Sequence, residues 1–196
     1  MRPSRAKTRC VISRQFWSET LAWATSSGTA IATSTTETVL FPNITLPANF
    51  LQDGRLVRLR LFGSYGTTGT PTLQFRLRWG GVSGTVIAAS GAITTGSGVG
   101  GGASMTALFD AELIVQVRSN GSSGTLMTNG VFGVYTTGTA AGSSYPLASG
   151  STGGTTPVAV TVDLTADTAL AITAQWGTSN SANSIQGLNY SLEALN

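Results

Sequence analysis

RLVRLRLFGSYGTTGTPTLQFRLRW, residues 55–79, is the stretch from which the fold can be read. In steps of two, Val57, Leu59 and Leu61 fall on one side and Arg58, Arg60 and Phe62 on the other. After a turn, Leu73, Phe75, Leu77 and Trp79 alternate with Gln74, Arg76 and Arg78. A period of two over both runs specifies strands that are apolar on one face and cationic on the other. The intervening Gly63–Pro71 contains three glycines and a proline, which favour a turn, so the pair is expected to form a β-hairpin with a long loop. Its apolar face needs a second layer to cover it.

The remaining chain supplies strands of the same kind. Ala107–Arg118 alternates with Phe109, Ala111, Leu113, Val115 and Val117 inward and Asp110, Glu112, Gln116 and Arg118 outward. Thr125–Tyr135, Val158–Leu164, Ala169–Trp176 and Ile185–Leu195 read as further strands, Leu188, Tyr190 and Leu192 facing inward in the last. Glu37–Phe41 is a short strand, Asn43–Leu51 a corner and Val82–Ile93 a weaker strand. Residues 25–36 are small and polar and read as a linker or weak edge strand; residues 136–156 read as an exposed loop around Tyr145-Pro146. The expected fold is all-β: an antiparallel, jelly-roll-like β-sandwich body over residues 36–196, preceded by an extended N-terminal arm and linker over 1–35.

Composition narrows the chemistry. Among 196 residues, 10% are charged, 41% are hydrophobic and 25 are glycine, which points to packed β structure rather than a disordered tail. There is no histidine, and Cys10 is the single cysteine, so the usual zinc ligands, the commonest general base and any intrachain disulfide are excluded. No cofactor or metal is expected. The net charge of +3 conceals an asymmetry: Arg2, Arg5, Lys7, Arg9 and Arg14 lie in a stretch without an acid, while the rest carries six cations against eight acids. A cationic arm on a near-neutral body is drawn to negatively charged surfaces.

The arm also carries Phe16, Trp17 and Trp23, either as part of an anchor or as the first strand of the body. It has no apolar run suited to a membrane span or a secretory leader, and its aromatics are unlike those of a disposable transit peptide. With the last strand running to the C-terminal end, the N-terminal end is expected to be the anchoring one. The glycine run at 94–103 lacks the lysine and helix of a phosphate cradle and reads as a connector. Asp110 and Glu112 share the outer face of one strand, so they do not form the opposed pair of a glycosidase; they are candidates to stand opposite the hairpin arginines. Arg58, Arg60, Arg76 and Arg78 form the densest basic patch of the body, yet only Phe62 lies among them. Single-stranded nucleic acid is therefore a poor fit, and acids on neighbouring strands or on a partner subunit are the expected mates. No convergent catalytic set is evident, so an enzyme is not expected.

Residues 55–79, the stretch AQWGTSNSANSI at 174–185 and the closing LEALN at 192–196 resemble small structural proteins of tailed-bacteriophage virions, over roughly residues 36–196. The resemblance implies a jelly-roll body exposed on a particle, commonly as a homotrimer, serving as capsid cement, head spike or fibre. The first reading is a decoration or cement protein on the outer surface of the capsid. Its arm would bind the major capsid protein through Arg2, Arg5, Lys7, Arg9, Arg14, Phe16, Trp17 and Trp23, with no nucleic acid or membrane partner. The alternative is a receptor- or glycan-binding fibre or spike, with Tyr145 and the Ser/Thr loops as contacts. A short arm without heptads favours the first.

Overall fold

In the computed structural model, residues 18–67, 69–95, 107–135, 142–150 and 156–195 are described. Arm residues Arg2, Arg5, Lys7, Arg9, Arg14, Phe16 and Trp17, and the glycine run from 96 onward, lie outside them. The described residues are strands and connections without a helix. In chain order the strands are Glu19–Trp23 (β1), Ile31–Ala32 (β2), Thr38–Val39 (β3), Ile44–Leu46 (β4), Leu56–Gly66 (β5), Thr72–Trp79 (β6) and Thr85–Ala89 (β7). They continue with Ile93–Thr94 (β8), Ala107–Ser119 (β9), Gly124–Tyr135 (β10), Ser143–Ser149 (β11), Val160–Val162 (β12), Thr168–Trp176 (β13) and Ser184–Ala194 (β14).

Every pairing is antiparallel, and the strands run β1-β14-β5-β9-β10-β11-β7-β6-β13-β3 in one curled sheet of the β-sandwich, jelly-roll-like class. The short strands β2, β4, β8 and β12 attach to β14, β13, β6 and β10. Curling brings opposite parts of the sheet face to face: Phe75 of β6 stacks on Phe132 of β10 with ring centroids 5.1 Å apart, and Phe132 stacks on Phe109 of β9 at 5.7 Å. The inward residues Val57, Leu59, Leu61, Leu73, Phe75, Leu77, Trp79, Phe109, Leu113 and Val117 are all buried in one core. Each such large side chain contributes about 1.5–3 kcal/mol relative to exposure, which is what closes the sheet on itself. At the seam where the two ends of the sheet meet, Phe41 packs edge-on against Tyr190 at 4.9 Å. Gly187 is needed there, because a Cβ would collide with the Phe41 ring.

Three expectations need correction. Residues 55–79 do not form a hairpin: β5 pairs with β14 and β9, whereas β6 pairs with β13, β7 and β8. Periodicity fixes which side of each strand faces the core but not which strand lies beside it, and the connection at 67–71 carries the chain across to the other part of the sheet. The stretch around Tyr145-Pro146 is strand β11, paired along β10 from Val134 to Asn129. Leu188 is half-buried rather than inward, because β14 bulges between Gly187 and Asn189. Within the stretch read as arm and linker, β1 pairs with Tyr190's strand over residues 191–194 and β2 pairs with the same strand at Ser184 and Ile185.

Candidate functional site

The strand arginines are matched inside the chain. Arg58 lies opposite Glu193 and binds it at 2.5 Å, and Arg60 lies opposite Glu112 and binds it at 3.0 Å. Arg76 and Arg78 share Glu37, at 2.7 Å and 2.5 Å, and Thr173 also donates to that carboxylate. The two kinds of pair differ in weight. Arg60 and Glu112 are about half exposed, at 52% and 49%, where ion pairs contribute roughly 0–1 kcal/mol; Arg76, Arg78 and Glu37 are only 14–17% exposed. Burial alone would raise the Glu37 carboxyl, but hydrogen bonds from Arg78 and Thr173 and the field of both arginines outweigh it and hold the group below its ordinary value of 4.5.

Of the two acids expected opposite the arginines, Glu112 is so placed. Asp110 is not: it faces Phe62 on one side and Gly133 on the other, and it accepts a hydrogen bond from the Tyr135 hydroxyl at 3.1 Å. Glu37 and Glu193 were not singled out by the sequence. Glu193 was legible as an outward residue of an alternating strand; Glu37 precedes a strand of two residues, and only the fold carries it to β6 and β13.

Trp23 sits in β1 opposite Ser191, 60% exposed. Directly opposed residues in antiparallel strands share a face, so the register extends this outward surface across five strands. One row runs Trp23, Ser191, Arg60, Glu112 and Val131; the next runs Asn189, Phe62, Asp110 and Gly133. The β14 bulge makes the surface possible. By adding Leu188, it turns Asn189, Ser191 and Glu193 outward and returns Tyr190, Leu192 and Ala194 to the core. Between β5 and β14 the surface dips into a depression of about 250 Å³ bordered by Arg60, Phe62, Asn189 and Ser191. Gly133 makes room for the Tyr135 hydroxyl beside Asp110, since a Cβ there would meet both the carboxylate and that hydroxyl. Partial burial and the bond to Asp110 raise the Tyr135 phenol, which keeps it a neutral donor.

Tyr145, named for the fibre or spike alternative, is half-buried and packs against the core. Among the described residues there is no cluster of three or more His, Cys, Asp or Glu side chains that could hold a metal, and no helix long and apolar enough to cross a membrane. No family model, curated protein or solved structure matches the chain.

Proposed function

We propose that this chain is a decoration or cement protein of a tailed-bacteriophage head, bound to the outer surface of the shell through the cationic segment that precedes β1. The observation that carries the reading is the internal matching of the strand arginines. The four strand arginines answer acids of their own chain, so they hold little charge in reserve for a partner. Five of the eleven cations lie in residues 1–14, in a stretch without an acid. That segment enters the body at β1, at one end of the strand order, where a tether does not interrupt the core.

In this reading the cations of the segment meet acidic patches on the major capsid protein, and Phe16 and Trp17 fill apolar pockets between shell subunits. Each contact is weak and salt-screened. A homotrimeric body presenting several segments at once would gain the avidity that one lacks.

The test is removal of residues 1–17, which leaves β1 in place. The truncated body is expected to fold, with a melting temperature close to that of the full chain, and to fail to co-sediment with shells that bind the full chain. Binding of the full chain is expected to weaken as ionic strength rises from about 0.05 to about 0.5 M, as the screening length shortens. Full occupancy of shells by the truncated chain would overturn the proposal.

A further inference from the structure

The turn between β9 and β10 carries one of the two Asn-Gly pairs of the sequence, Asn120-Gly121; the other, Asn129-Gly130, lies within β10. The pairs are alike in sequence and unlike in setting. Asn129 has an exposed side chain, but its backbone is held in the sheet, and Gly130 is paired with Leu113 of β9 on one side and Leu147 of β11 on the other. A Cβ on Gly130 would collide with the Glu112 carbonyl oxygen, so the backbone there is pressed against β9.

Gly121 stands outside the ladder, whose last pair is Ser119 opposite Thr125. Its N–H donates to the side-chain Oδ1 of Asn120 at 2.7 Å. A carbonyl carbon is about 1.2 Å from its oxygen, so Asn120 Cγ lies within about 3.9 Å of the Gly121 nitrogen. Gly121 has a φ of +107°, and a Cβ built on it would meet no atom within 4 Å, which leaves open space beside it. Its carbonyl accepts N–H bonds from Gly124 at 3.0 Å and Leu164 at 3.1 Å, and these fix the residue in the turn.

We propose that Asn120 is a site of spontaneous modification, deamidating in the folded protein while Asn129 is preserved. The Gly121 nitrogen gives its proton to hydroxide and attacks Asn120 Cγ. The new N–C bond closes a succinimide ring as the Cγ–Nδ2 bond breaks, and Nδ2 takes a proton from water and leaves as ammonia. Water then opens the ring: cleavage at Cγ leaves aspartate, and cleavage at the main-chain carbonyl carbon leaves isoaspartate. The sum is asparagine and water giving the acid and ammonia, with nothing oxidised or reduced. The turn contributes placement, holding the nitrogen beside the carbon it attacks. At Asn129 the same closure would pull Gly130 out of its ladder.

The product alters a link between elements. Asn120 Nδ2 donates to Gln52 Oε1 at 2.8 Å, joining the turn to the chain that follows β4. A carboxylate at 120 has no N–H to give and sets two acceptors against each other. Isoaspartate also adds a carbon to the main chain of the turn. The inference is independent of the attachment proposed above, since Asn120 lies in the body.

The experiment is storage of the folded full-length protein in mildly alkaline buffer for several weeks, followed by pepsin digestion in acid. Fragment-ion mass spectrometry then places any exchange of –NH2 for –OH. Asn120 is expected to convert at least about tenfold faster than Asn129 in the folded chain. In guanidinium chloride the two should convert within about twofold of each other, because the shared Asn-Gly sequence alone then acts. Hydrogen exchange at residues 52–55 should be faster in the converted protein, and unchanged exchange there would overturn the claimed loss of the Gln52 link. The proposal itself is overturned if Asn120 in the folded chain converts no faster than Asn129, or converts only once the chain is unfolded.

Discussion

At Glu37 one carboxylate answers two guanidinium groups, with all three side chains 14–17% exposed. Removing the shared acid would leave two cations facing each other, part-buried, with neutral partners such as Gln74 and Gln175 on Arg76. Glu37→Gln is therefore expected to cost about 3 kcal/mol in urea unfolding, because unpaired buried charge is costlier than the pair is favourable. By contrast, Arg60→Gln removes an exposed pair and should cost less than about 1 kcal/mol. The Glu37 carboxyl is held below 4.5 in the folded chain, so its contribution is fully present above the unfolded value and is lost as pH falls through the folded one. The parent's thermal midpoint should fall below about pH 4.5, and the Glu37→Gln variant's midpoint should fall less over the same range. Parallel midpoint curves would show that this carboxylate does not set the acid limb.

Strand β14 carries two consequences at the scale of an element. Its bulge holds one more residue than the facing strand, so deleting Leu188 restores plain alternation: Gly187 stays opposite Gly63 and Asn189 opposite Phe62. The deletion is expected to leave the chain folded at a cost of about 1 kcal/mol, the value of half-burying a leucine. Unfolding of that variant in circular dichroism would show instead that the bulge itself is required to bend the strand. The other consequence concerns the strand's cover. β14 is shielded on its far side by β1, and removal of residues 1–23 would strip that shield and expose unpaired backbone groups along residues 191–194. Light scattering should find this shorter chain self-associating, in contrast with the chain lacking only residues 1–17.

Over the whole molecule, positive charge and the aromatic surface are segregated along the chain. The basic segment precedes β1, while the outward surface is built from register across β1, β14, β5, β9 and β10. Under the proposed attachment, tether and body should separate: the chain lacking residues 1–17 is expected to lose shell binding and keep a melting temperature close to that of the full chain.

Alternation in residues 55–62, 73–79 and 107–118 determined, without any coordinates, that these are strands, which side of each is buried, and that the protein is all-β. The reason is local: a strand's side chains alternate by covalent geometry, and burial selects the apolar set. Only the tertiary structure decided that β5 lies beside β14 and β9 rather than β6, and that Glu37 reaches Arg76 and Arg78. Those outcomes depend on which strands become neighbours and in what register, and residues far apart in the chain settle that together through the shape of a shared core.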